Sequence, residues 1–161
     1  MDDGSMTLII ALVFLVACSA FFSASETAFS SLNQIRLKSR ARLALRLLEN
    51  YDTLLSTILI GNNIVNIAAA SIGTILFTRA LGAERGATMS TIVLTIVVLI
   101  FGEVTPKSLA KEMPETVATA VSPMLNLLMV LFTPLTWLFS QWKRLLGHFV
   151  HSTEEDTITE G

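Results

Sequence analysis

Apolar residues collect in four long runs, 7–29, 54–78, 88–106 and 117–139, separated by shorter polar stretches. A hydrocarbon core of about 30 Å takes roughly 20 mostly apolar helical residues to cross, and each run is close to or beyond that length. The first three runs predict membrane-spanning helices. The fourth carries Pro123 and Pro134. Proline removes a backbone donor and kinks a helix, so this run predicts a bent juxtamembrane helix over 115–146, lying along the bilayer surface like a belt.

The basic residues fix the expected orientation, because Lys and Arg accumulate on the cytoplasmic side. Arg36, Lys38, Arg40, Arg42 and Arg46 lie between the first and second runs, Arg79 and Arg85 between the second and third. Lys107 and Lys111 follow the third, and Lys143 and Arg144 follow the fourth. With three spans and the N-terminus outside, nine of the eleven fall inside; a fourth crossing would leave seven. The expected architecture is therefore all-α, with three spans and a belt. Residues 1–150 form the transmembrane domain, 31–52 a basic cytoplasmic connector, and 151–161 the start of a linker. Asn50 or Asp52 can cap the helix of the second span.

Composition agrees. Hydrophobic residues make up 52% of the 161-residue chain and charged residues 15%, and the mean hydropathy is +0.65. A soluble domain needs a more polar skin. A net charge of −2 gives no basic surface for nucleic acid, and the single Cys18 excludes an internal disulfide framework. There is no His-Glu-x-x-His pattern and no His within the spans to activate a serine, so an enzyme is not expected.

Three polar clusters interrupt the apolar runs: "FFSASETAFSS", "IGNNIVN" and "FGEVTPKS". Polar and ionisable side chains inside a span are costly unless they face a partner or a wet cavity. At 1.5 Å per residue, Ser23 lies about 24 Å and Glu103 about 22 Å from the outer ends of their helices, and Asn62 about 12 Å from its inner end. All three clusters then occupy the inner half of the membrane. Asn62 and Asn66 share a helical face, as do Ser23 and Glu26. Gly102 and Pro106 around Glu103, and Gly61 beside Asn62, are places where a helix can loosen and expose a carbonyl. Serine hydroxyls, asparagine amides, carbonyls and one carboxylate are all oxygen donors, which suit Mg²⁺, Ca²⁺ or Na⁺ rather than zinc or copper.

Each of these residues also has a plainer use. Ser23 and Ser25 can be small packing residues. Asn62, Asn63 and Asn66 can bond neighbouring helices. Glu26 can pair with Arg36, and Glu103 with Lys107 one turn on. Under that reading the chain is a membrane anchor and dimerisation module for a cytosolic sensor, with no transport of its own.

Taken in order, "FSASETAFSS", "GNNIVNIAAAS" and "FGEVTPKSLA" resemble the transmembrane domain of the CorC/CNNM (cyclin M) family of magnesium transporters, over nearly the whole chain. The resemblance implies a homodimer in the plasma membrane, its C-terminus cytoplasmic, that exports Mg²⁺ coupled to Na⁺ influx. It implies Ser23, Asn62, Gly102 and Glu103 as ligands of a largely dehydrated Mg²⁺, with Asn66 and Ser25 as second choices. Na⁺ is the candidate second ion. Gly61, Asn63, Pro106 and Glu26 would be structural or gating residues. Members usually continue into paired cytosolic CBS domains that bind nucleotide, and residues 151–161 would lead to such a region, absent from this chain.

Overall fold

The computed structural model describes residues 3–32 and 42–159, the last nine of these by backbone alone. Every element among them is helical: α1 (Asp3–Ser31), α2 (Arg42–Glu49), α3 (Tyr51–Leu81), α4 (Ala83–Val97), a π-helical segment (Val98–Val104), α5 (Thr105–Glu112), α6 (Pro114–Leu131) and α7 (Thr133–Thr159). The π segment joins α4 to α5 without a break, so the third apolar run is one rod from Ala83 to Glu112. The helices outrun the apolar runs by several residues at their ends, because lipid sets the apolar length and backbone hydrogen bonding carries the helix on into the polar layers.

Among the described residues four helices are long and apolar enough to cross a membrane by length and composition: α1, α3, the rod 83–112 and α6. The first three have 29, 31 and 30 residues, and α6 has 18. At 1.5 Å per residue α6 rises about 27 Å, just short of a ~30 Å core. α1 and α3 are apolar nearly all round. Ile10, Val13, Phe14, Ile64, Ile67, Ile92 and Ile96 stand half or more exposed. A surface of that kind belongs against acyl chains, in which only a backbone closed by its own hydrogen bonds is tolerated. The chain is a multi-pass membrane protein.

α1 is the centre of the bundle and packs against α3, the π segment, α5 and α6. It runs antiparallel to α3. Gly4 lies beside Arg79, Ser19 beside Asn62 and Phe22 beside Gly61, so the paired positions move in opposite directions along the two helices. α3 turns into α4 through Gly82 alone. Its φ of 90° is a left-handed conformation that side chains disfavour, and its N–H caps Thr78 O at 3.0 Å. Gly86 then lies directly against the Thr78 backbone, where a side chain would not fit.

The buried apolar core gathers at one end of the bundle. Phe22, Ala28 and Phe29 of α1 meet Leu54 and Ile58 of α3, Ala110 of α5, and Ala118 and Leu125 of α6. α2 joins them through Ala44 and Leu47, with Arg42 and Arg46 outside, the division expected of a basic surface helix. The other basic connector residues, Arg36, Lys38 and Arg40, and the rest of 33–41, lie outside the described residues. Asn50 stands at the α3 N-cap without a side-chain cap bond.

The 115–146 stretch is two helices rather than one bent rod, and the break falls at Phe132. Phe132 N–H bonds Leu128 O at 2.8 Å and ends α6. Pro134, at the second position of α7, replaces an N–H that has no helical partner there. Pro123 sits inside α6 without ending it.

Candidate cation site

The three polar clusters meet through a residue that the sequence reading passed over. Ser19 of α1 is buried. Its hydroxyl donates to Asn62 Oδ1 of α3 at 3.4 Å. It also faces Gly102 of the π segment so closely that a Cβ there would stand 3.0 Å from Ser19 Oγ. α1, α3 and the third rod therefore touch through a hydroxyl, an amide oxygen and a bare glycine. Ser19 lies one turn before Ser23 and on the same face, so a hydroxyl at i−4 was the available signal. Inside an apolar run it reads as packing.

Next to this contact are two oxygens without partners. Ser23 is buried, and neither its Oγ nor the buried Oδ1 of Asn66 has a hydrogen-bond partner. A buried polar group left unpaired costs roughly 1–3 kcal/mol. The two oxygens do not converge on one point. Because α1 and α3 are antiparallel, Ser23 and Asn66 lie on opposite sides of the Ser19–Asn62 contact, about 12 Å apart along the axis at 1.5 Å per residue. Ser23 lies toward the end of the rod that holds Pro106. Asn66 helps line a cavity of about 270 Å³ between α3 and α4, with Thr74, Ser90, Thr91 and Thr95.

The π segment supplies backbone oxygen. Thr105 N–H bonds Ile100 O, five residues back. In that register Phe101 O would be served by residue 106, and in α register Gly102 O would. Residue 106 is proline, without an N–H. The carbonyls of Phe101 and Gly102 therefore share one donor too few. Gly102 and Pro106 are both buried, and irregular backbone at membrane depth is tolerated only inside protein or along a cavity.

Glu103 is partly enclosed, and its carboxylate pairs with Lys107 Nζ at 3.2 Å. Ser25 is buried on the far side of α1 from Ser23, and its hydroxyl donates to Phe21 O of its own helix at 2.7 Å. Gly61 is buried under the ring of Phe22, which any Cβ would strike. Asn63 is exposed on the outer surface of α3, and Glu26 is exposed on α1, its expected partner Arg36 lying outside the described residues. The structure thus joins Asn62 and Gly102 through Ser19; Gly61 and Glu103 are their chain neighbours, and Ser23, Asn66 and Pro106 each lie about one helical turn away. Ser25, Asn63 and Glu26 are turned away. Among the described residues no three His, Cys, Asp or Glu side chains cluster, so the donors gathered here are the neutral oxygens and one carboxylate.

Comparison with known proteins shows the family of the chain. The cyclin M transmembrane N-terminal domain (CNNM) matches residues 10–161. The UPF0053 inner membrane protein YfjD of Escherichia coli is 45% identical over 150 residues, covering 89% of this chain and 35% of that protein. A UPF0053 protein of Haemophilus influenzae is 41% identical over 151 residues, covering 89% and 36%. A protein of the same organism named polyamine export protein is 27% identical over 150 residues, covering 81% and 35%. The chain spans about a third of the length of these relatives. With the family domain running almost end to end and the three polar clusters meeting between its spans, the chain belongs to the cyclin M (CNNM) transmembrane-domain family.

Proposed function

We propose that the chain is the membrane-embedded, cation-carrying part of a secondary transporter, with Mg²⁺ as its cargo, exported by alternating access against Na⁺ influx. The observation that carries this reading is the pair of buried, unpartnered oxygens, Ser23 Oγ and Asn66 Oδ1, on either side of the Ser19–Asn62–Gly102 contact. Hard cations take oxygen ligands, and Mg²⁺ is held at about 2.1 Å against about 2.4 Å for Ca²⁺. Ser23, Asn62, the carbonyls around Gly102 and the Glu103 carboxylate are the ligands. Asn66 receives the ion on the side of the α3–α4 cavity. With one carboxylate the loaded site keeps a positive charge, which favours release once the cavity opens. Na⁺ can follow into the same oxygens.

In the bilayer the arrangement is three spans, α1, α3 and the rod 83–112, with the N-terminus outside and the C-terminus in the cytoplasm. α6 and α7 form the belt. The distribution of Lys and Arg, the shortness of α6 and the break at Phe132 support this topology. The protein works as a homodimer in the plasma membrane.

The test is Mg²⁺ flux into proteoliposomes. Ser23→Ala is expected to weaken Mg²⁺ binding and slow flux about tenfold, the loss of one ligand oxygen in a desolvated site. Ser25→Ala, whose hydroxyl serves its own helix, stays within about twofold. Equal effects of the two would remove Ser23 from the site, and no Mg²⁺ flux by the folded wild type would favour the anchor module instead.

One observation favours a second cargo class. Glu103 already accepts a primary ammonium, that of Lys107, and one relative is named a polyamine export protein. An organic polyamine would use the same carboxylate. Spermidine that is itself transported and competes with Mg²⁺ would support this reading; spermidine without effect on Mg²⁺ flux would exclude it.

A further inference from the structure

We propose that Lys107 is a resident counter-ion that occupies Glu103 while the site is empty and must be displaced by incoming cargo. The inference rests on the cation-site reading above and deepens it. Four observations carry it. The Lys107 ammonium lies 3.2 Å from Glu103 Oε2. Glu precedes Lys by four residues, the favourable orientation for a helical pair. Ser23 Oγ and Asn66 Oδ1 are left without any donor, so the lysine takes the site's charge but none of its neutral oxygens. Pro106 beside it is buried while the Lys107 side chain is 42% exposed, so the backbone is held and the flexible stem is free to swing outward.

A charge within a span is costly unless paired. An empty carrier holding a bare carboxylate would resist reorientation, and the tethered ammonium removes that net charge. A half-exposed ion pair of this kind is weak, which allows a divalent ion, with its higher charge and additional ligands, to replace it. Once displaced, the ammonium remains nearby and repels the bound ion. Lys107 therefore lowers affinity and assists release. It is a positioning and competing group, not a ligand.

The experiment combines calorimetric Mg²⁺ titration of the purified chain with lysine methylation read by mass spectrometry. Lys107→Gln and Lys107→Met are expected to tighten Mg²⁺ binding about tenfold, the effect of removing a unit charge ~6 Å from a divalent ion in a water-like dielectric. Lys107→Arg, which keeps the charge, returns wild-type affinity. In the wild type, Mg²⁺ frees the Lys107 amine and accelerates its methylation relative to Lys111, and Glu103→Gln abolishes that acceleration. Unchanged affinity in both neutral variants, or a Lys107 methylation rate indifferent to bound Mg²⁺, would overturn the proposal while leaving Glu103 a ligand; weaker affinity in both would overturn it by making the ion pair a structural support. Wild-type Mg²⁺ affinity in Glu103→Gln would instead overturn the cation-site reading itself, and this inference with it.

Discussion

Replacing Glu103 with Gln is expected to reduce Mg²⁺ affinity about a hundredfold and to bring flux to the background of empty liposomes. Glu103 is the single carboxylate in the third polar cluster and is partly enclosed. Glutamine keeps the shape and one acceptor oxygen while removing the charge, so the loss is that of a desolvated charge partner, roughly 2–5 kcal/mol. The substitution also breaks the bond to Lys107, and an alternative account would attribute the whole effect to that loss. Lys107→Gln separates the two. It breaks the same bond but keeps the carboxylate, so it retains binding if Glu103 is a ligand and loses it if the ion pair is merely structural. The measurements are Mg²⁺ titration and proteoliposome flux on both variants, with helicity and melting temperature as controls for folding.

The second large effect is expected at Gly102. A methyl group there would stand 3.0 Å from Ser19 Oγ and 3.3 Å from Ser19 Cβ. Gly102→Ala therefore pushes the Ser19 hydroxyl by a few tenths of an ångström, off a bond to Asn62 that is already long at 3.4 Å. Gly102→Val fills the space outright, since overpacking a tight contact costs about 1–3 kcal/mol. Mg²⁺ binding is expected to weaken about tenfold in the alanine variant and to be lost in the valine variant. Gly147, where an added Cβ meets nothing within 4 Å, is the control, and Gly147→Ala leaves binding unchanged. Equal Mg²⁺ affinity in Gly102→Val and the wild type would mean that no ion passes between Ser19 and the π segment.

Much of this was legible in the sequence because lipid enforces a simple rule. The helices containing the runs 7–29, 54–78 and 88–106 form because a backbone without water must bond to itself. Of the clustered polar residues inside such runs, Asn62 and Gly102 meet through Ser19. What the pattern could not show was side-chain direction at fine spacing. Ser23 and Ser25 are two residues apart, so they face nearly opposite sides of α1; one is orphaned and the other bonds Phe21 O. Gly102 and Pro106 suggested a loosened helix. The structure answers with a π segment, which keeps the rod continuous while shortening the supply of N–H donors at one turn. The Glu103–Lys107 pair was legible as a local alternative to metal binding, but the spacing alone did not suggest that both uses could belong to one cycle. In the fourth run the prolines pointed to a bend, yet the chain breaks at Phe132, because Pro134 starts a helix more readily than it interrupts one.

The proposed function puts a bare hard cation beside the Ser19–Asn62–Gly102 contact, with Ser23 and Glu103 among its ligands. An ion-resolved structure of the protein in saturating Mg²⁺, repeated with Mn²⁺ for its anomalous signal, tests it most directly. One peak is expected at that position, with protein oxygens at about 2.1 Å, the Glu103 carboxylate among them and the Lys107 ammonium moved off it. An empty position, with Ser19 still bonded to Asn62 and Lys107 still on Glu103 under Mg²⁺ that demonstrably binds the protein, would contradict it.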